Sequence, residues 1–425
     1  MNATKAMTLL AATSLAISAQ ALTLAVKDVK IAQRYPWNGL VDIDYTVECD
    51  DKDADVYIYP VGYDADNNQS VALYTFTGEG ANGKAVKAGT HRMTWDMAKD
   101  MGQNYNRAAF SIKLHGYAGA APYLVIDLSP GANAEKYEVS YLNEMPEGGW
   151  TDEYKSTKLV LKLIPPGTFL MGDNSTYTSS DDFRGGNAKH KVTLTQPYYC
   201  GVFEVTYQQW KLITGTEKDG YGNGMLKQPV RTVNYNDLRG ATLGAGWPSH
   251  QQVDATSFLG KLRSRTGVTF DLPTEAQWEY ACRASSSEAT SPNPNAFGLY
   301  GMNELPGEWC LDWFQQTLSG DQTDPKGPTS GVKDARVVRG GCSNREYSNY
   351  ISSYSYVGTD NKVKTYSDFW ARSLSSSYRC YCAYYSSYPT TPSYSYTGGS
   401  YNVYGGGSIV TGSFGCRLVA LPAAK

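Results

Sequence analysis

The sequence predicts two folded units in tandem, an all-β immunoglobulin-like sandwich over residues 22–120 and a loop-rich α+β domain over 158–425. Three observations carry this. Residues 22–120 alternate apolar and polar side chains in short runs parted by turn-rich pieces. From Lys158 onward, helix-period segments appear among short strands. Near the C-terminus a Tyr/Ser-rich stretch is enclosed by apolar strand-like runs on both sides. At 425 residues and 41% hydrophobic content, the chain is long enough for two or three separate cores.

In the first unit the runs are LTLAVKDVKIA, LVDIDYTVEC, DVYIYPV, VALYTF, HRMTW and AAFSIKLHGY. Side chains alternate across a strand, so each run offers one apolar face. DADNN (Asp64–Asn68) resembles the start of a calcium loop but lacks the glycine and the closing glutamate. It therefore reads as a hairpin turn, as does the acidic CDDKDAD at 49–55. Residues 121–157 read as a strand-containing linker, because SPGANAEKYEVSYLNEMPEGGW carries linker-type Pro and Gly.

In the second unit LVLKLIPPGTFLMGD is a strand, a turn and a strand, and KVTLTQPYYCGVFEVT is a further strand pair. Thr206 is the expected N-cap of a short helix in TYQQWKLITG, with Gly215 its stop. In DATSFLGKLRSRTG, Ala255, Phe258, Leu259 and Leu262 fall at helical spacing and Gly267 ends the helix. In PTEAQWEYACRA, Thr274 with Gln277 three residues on is a capping box. Trp278, Trp309 and Trp313 are read as core packing.

The N-terminus has the three regions of a secretory signal peptide over 1–21: Lys5, an apolar run from Ala6 to Ile17, and Ala19-Gln20-Ala21 at the cleavage position. Export permits disulfides among Cys49, Cys200, Cys282, Cys310, Cys342, Cys380, Cys382 and Cys416, whose spacing does not suit structural zinc. A net charge of −3 with no basic stripe argues against nucleic acid or anionic lipid as a partner. Beyond the first 25 residues no apolar run approaches the ~18 needed for a transmembrane helix. His91, His115, His190 and His250 are far apart in sequence and form no i, i+4 metal pair.

Eight segments, IPPGTFLMGD (164–173), HKVTL (190–194), FEVTYQQW (203–210), PVRTVNYNDL (229–238), LPTEAQWEYACRA (272–284), NAFGLYGMNELPGEWCLDWF (295–314), RVVRGG (336–341) and FGCRLVA (414–420), together resemble the formylglycine-generating enzyme, or sulfatase-modifying factor, family, in the family's order. The resemblance implies a C-type-lectin-like core. It also implies two copper-binding cysteines shortly after the RGG turn, but Arg345 and Tyr350 stand at those places. A guanidinium has no lone pair to give, and a phenol is a poor ligand for Cu(I), so copper is not expected. Recruitment of Cys342, Cys380 and Cys382 as replacements is the less favoured reading. At the family's calcium region Gly301 replaces an acidic residue and Leu305 an asparagine while Glu308 is kept, which weakens a calcium site without removing it.

Between Cys342 and Tyr404 there are fourteen Tyr and a similar number of Ser. This is the composition of antibody paratopes: rigid amphipathic contact from Tyr, adaptable polar contact from Ser and Gly. A lectin-type scaffold with such a stretch resembles the variable proteins of diversity-generating retroelements, with 342–416 as the variable region. The resemblance would also account for Cys416, where relatives carry Phe. The residues expected to contact a ligand are Arg345, Tyr347, Tyr350, Tyr354, Tyr356, Tyr378, Arg379, Tyr381, Tyr384, Tyr385, Tyr394, Tyr396, Tyr401 and Tyr404. The expected function is an exported receptor or display protein for a protein or glycan ligand, without catalytic residues or a required cofactor. The alternatives are a copper-dependent oxidase converting a sulfatase cysteine to formylglycine, and an adhesive surface module.

Overall fold

The computed structural model describes residues 23–340 apart from breaks at 37, 67–68, 74, 82–83, 102–109, 119–120, 173–187, 219–222, 232, 285–293, 296, 303–305, 316–319 and 332–334, and then 356–357, 363–364, 379–383 and 414–422. The expected signal peptide lies outside the described residues.

The first unit contains strands β1 (Leu24–Gln33), β2 (Leu40–Cys49), β3 (Val56–Asp64), β4 (Gln69–Ala72), β5 (Phe76–Gly78) and β6 (Gly89–Asp96), a short helix α1 (Met97–Met101) and strand β7 (Phe110–Ala118). They form two antiparallel sheets, ordered β1-β2-β6-β5 and β4-β3-β7. The alternation read in LVDIDYTVEC is realised: Val41, Ile43, Tyr45 and Val47 are buried, and they join Val56, Ile58, Met93, Trp95 and Leu114 in one core drawn from both sheets. The two acidic stretches make turns. Asp51 accepts the Asp53 N–H at 2.9 Å and Asp64 that of Asp66 at 3.0 Å, so side chains stand in for backbone acceptors.

The second unit is built from short strands and few helices. Its elements are β8 (Tyr123–Asp127), β9 (Glu138–Leu142), β10 (Lys158–Ile164), β11 (Gly167–Met171), β12 (His190–Leu194), β13 (Tyr198–Gly201), α2 (Tyr207–Thr214), α3 (Tyr235–Arg239), α4 (Phe258–Thr266), β14 (Phe270–Asp271), α5 (Glu275–Arg283), β15 (Gly307–Trp313), β16 (Gln322–Thr323), β17 (Ala335–Arg339), β18 (Tyr356–Val357), β19 (Val363–Lys364), β20 (Arg379–Ala383), β21 (Phe414–Gly415) and β22 (Val419–Ala420). The largest sheet runs β14-β22-β13-β10-β8-β9; smaller ones run β11-β12-β16 and β20-β17-β15-β21.

This topology corrects the linker reading of 121–157. Strands β8 and β9 pair with each other, and β8 also pairs with β10, so the segment is part of the second unit's main sheet. Its Leu124, Ile126 and Leu128 are buried in that unit's core. The Pro and Gly that suggested a linker fall in the turns around these strands. The units meet here too, where the Tyr57 hydroxyl donates to Asn143 Oδ1 at 2.9 Å.

The main sheet has a core on each face. On β13, Tyr199 packs with Leu161, Trp210 and Phe258, while Tyr198 and Cys200 pack with Phe169, Trp278 and Val337. The helix signals hold. Thr206 and Thr274 make capping boxes with Gln209 and Gln277, and Gly215 and Gly267 close α2 and α4 at φ +82° and +72°. One boundary differs: α4 is capped by Ser257, which accepts the Gly260 N–H at 3.1 Å, and Ala255 is exposed before the helix. The Ser257 hydroxyl satisfies an orphan N–H of the first turn, which fixes the start of the helix after Ala255.

Candidate functional site

The scaffold of the expected binding stretch is the sheet β20-β17-β15-β21. All five residues of β17 are buried, apolar Ala335, Val337 and Val338 together with arginines 336 and 339. On one side β17 pairs with β15, placing Arg339 opposite Glu308; on the other it pairs with β20, placing Val337 opposite Tyr381 and Arg339 opposite Arg379. Strand β21 runs parallel to β15 with Gly415 beside Glu308. The chain thus leaves this sheet after Arg339 and returns at Phe414 on the two flanks of one residue, Glu308, touching the sheet between at β20.

Of the fourteen residues expected to contact ligand, Arg379 and Tyr381 lie on β20 and Tyr356 on the hairpin β18–β19. Arg345, Tyr347, Tyr350, Tyr354, Tyr378, Tyr384, Tyr385, Tyr394, Tyr396, Tyr401 and Tyr404 lie outside the described residues, as does Cys342. At the end of the expected variable region 342–416, Phe414 and Cys416 are buried in the main core, Cys416 with no exposed surface. A Cβ on Gly415 would lie 2.6 Å from the Val230 carbonyl oxygen. These three positions anchor the return strand and are not surface.

Beneath the sheet lies a set of buried charges that motif reading did not find. Arg339 donates to Glu275 Oε1 at 3.0 Å and to Glu279 Oε2 at 2.6 Å. Glu279 Oε1 also accepts the Gly172 N–H at 2.9 Å and Arg283 Nε at 2.8 Å. Arg417 grips Glu308 through Nε and Nη2, at 3.0 and 2.8 Å to Oε1, and Trp278 Nε1 donates to Glu308 Oε2 at 2.6 Å. Three arginines face three glutamates, so the cluster is neutral and each charge is hydrogen-bonded, the condition under which buried ions are tolerated. Burial works against the charge on Arg339, but Glu279 and Glu275 outweigh it and hold its pKa above the ordinary value. For Glu279 burial is likewise outweighed, by Arg283 and Arg339, and its pKa is lowered.

Glu308 was the acidic residue retained at the family's calcium region. Here both its oxygens serve Arg417 and Trp278, which makes it a counter-ion. Gly301, beside it in sequence terms, has φ +69°, a backbone region that favours glycine. Among the described residues no group of three or more His, Cys, Asp or Glu is placed to hold a metal.

Cys49, Cys200, Cys282, Cys310 and Cys416 are free thiols, so none of these five forms the disulfides that export would permit. The last four are buried. Burial pushes Cys200 up to about 12 and raises Cys282, Cys310 and Cys416 as well, which leaves all four protonated at neutral pH. Copper ligation requires thiolates. The tryptophans behave as expected: Trp278 and Trp309 are buried, and Trp313 lies under Arg336, whose guanidinium is 3.4 Å from the ring centroid.

The second unit is thus a loop-rich strand-and-helix domain organised by arginine–glutamate pairs. Residues 152–293 match the sulfatase-modifying factor enzyme 1-like domain, a span that contains five of the eight segments carrying the resemblance. The formylglycine-generating enzyme of Mus musculus is 27% identical over 44% of this chain and 66% of its own length. A serine/threonine-protein kinase, pkn1, of Chlamydia pneumoniae is 29% identical over 36% of this chain and 29% of its own. The chain therefore spans under two thirds of the length of each of these relatives. Among solved structures, Treponema denticola variable protein 1 aligns with 19% identity over 64% of this chain and 98% of its own, at a TM-score of 0.36. Among the described residues no helix is long and apolar enough to cross a membrane.

Proposed function

We propose that this is an exported binding protein in which an immunoglobulin-like spacer carries a C-type-lectin-like domain of the formylglycine-enzyme type, and the Tyr/Ser-rich stretch between β17 and β21 forms a diversified ligand-binding face. The supporting observation is the contrast across that stretch. Fourteen tyrosines are concentrated between Cys342 and Tyr404, while the strands on either side are buried and fixed by ion pairs. Rigid aromatic contact residues on a fixed frame are what a paratope requires. Arg345 and Tyr350 at the places of the family's copper-binding cysteines, and four buried neutral thiols elsewhere, speak against the oxidase alternative.

The reading is tested by sequencing the 3′ end of the gene across a population of cells. Substitutions restricted to adenines within the codons for 342–413, with 414–416 constant, are expected. An invariant stretch would overturn diversification. Conversion of a sulfatase-derived cysteine peptide to formylglycine by the copper-loaded protein would overturn the binding reading.

A further inference from the structure

A cavity of about 440 Å³ lies between the two units, walled by the sandwich through Ile58, Val61 and Phe76 and by the second unit through Leu163 and Phe297. Its size is that of a small-ligand pocket. Into this wall β10 projects one cation, Lys162. The ammonium sits 4.3 Å from the centroid of the Tyr123 ring, which also lines the cavity. Among the described residues no carboxylate forms an ion pair with it; the acid on the lining, Glu144, is exposed. Desolvation alone pushes Lys162 down to about 8, so the amine is still mainly protonated at neutral pH.

Lys162 is half-buried on an apolar wall, and an ammonium partly withdrawn from water gains from a counter-charge. The neighbouring positions of β10 show the contrast: Lys158 has its partner in Glu153 at 2.8 Å. The Tyr123 face supplies part of the missing stabilisation but accepts none of the N–H bonds of Lys162 as a carboxylate would. We propose that the cavity between the units is a binding site for an amphipathic carboxylate, its apolar body against Ile58, Val61, Phe76, Leu163 and Phe297 and its head group on Lys162. The site is separate from the Tyr/Ser-rich face and does not depend on the function assigned there.

The test uses the full chain and two chain-length-matched probes, decanoate and decanol, with binding followed by calorimetry. Saturable binding of decanoate by the wild type is expected. In Lys162→Met decanoate affinity should fall at least tenfold with decanol affinity unchanged, and Lys162→Arg should restore decanoate binding. An unchanged thermal unfolding midpoint in both variants shows that the cavity walls are intact. Equal affinity of wild type and Lys162→Met for decanoate overturns the proposal, and so does the absence of saturable decanoate binding by the wild type.

Discussion

The two units use arginine in opposite ways. In the sandwich, Arg34 and Arg92 lie on the sheet surface and pair with Asp42 and Asp44. In the second unit, Arg239, Arg339 and Arg417 have no exposed surface. They and their neighbours bond loop carbonyls as well as acids. Arg417 donates to the oxygens of Gly201, Val202 and Tyr300, Arg336 to those of Leu311 and Ala245, and Arg265 to those of Ile213 and Ala132. The difference follows from backbone accounting. Long strands satisfy their own carbonyls through the ladder, whereas a domain of two- to seven-residue strands leaves many carbonyls inside without partners. A guanidinium has five donors in a fixed fork and can satisfy several at once. The arginine pairs of the sandwich thus lie outside its core, while those of the second unit are built into its interior.

The comparison predicts a graded response. Arg339→Leu strands Glu275 and Glu279 without their shared cation and should cost about 3–5 kcal/mol in denaturant unfolding, confined to the second unit. A loss under 1 kcal/mol would mean the cluster relaxes and is not a framework. Trp278→Phe removes one donor to the Glu308 carboxylate and should cost about 1.5–3 kcal/mol by the same measurement, being a hydrogen bond to a charged group.

Acid should separate the units by pH. His115 in the sandwich is lowered to about 4, first by burial and then by Lys113, so the folded state favours the neutral ring. The unfolded chain binds that proton from about 6.5 downward, and sandwich stability should decline between pH 6.5 and 4. Glu279 has a lowered folded pKa, so its contribution is present above the usual glutamate range and is lost as pH falls below it. Calorimetric scans should show the sandwich transition moving first and the second unit's only below about pH 4.5. His115→Gln should remove the early shift. The smallest effect belongs to Arg92→Ala, whose exposed pair should leave the thermal midpoint of the sandwich unchanged.

What the sequence revealed was what is local. The capping boxes at Thr206 and Thr274 and the stops at Gly215 and Gly267 span a few residues and could be read directly. The alternation of β2 was legible for the same reason. The strands within 121–157 were read as a connector because their partner β10 begins only at Lys158, and turn residues outweighed short apolar runs. The arginine framework was hidden by distance: Arg417 meets Glu308 across 109 residues and Arg339 meets Glu279 across 60. The signal was still present, as charges in otherwise apolar motifs such as RVVRGG and EAQWEYACR. The resemblance puts Cys416 in the variable region, and only the packing reveals that it is fully buried.

Because Arg339 and Gly415 flank Glu308 on adjacent strands, the exit and return points of the Tyr/Ser-rich stretch lie within about 10 Å of each other, two strand spacings apart. Strand β20 divides the excursion between them at 379–383. Arg339 and Gly415 are thus held on the two flanks of one residue by backbone pairing, although the whole Tyr/Ser-rich stretch separates them in sequence. The frame therefore specifies where the stretch begins and ends through the residues that flank Glu308 from either side.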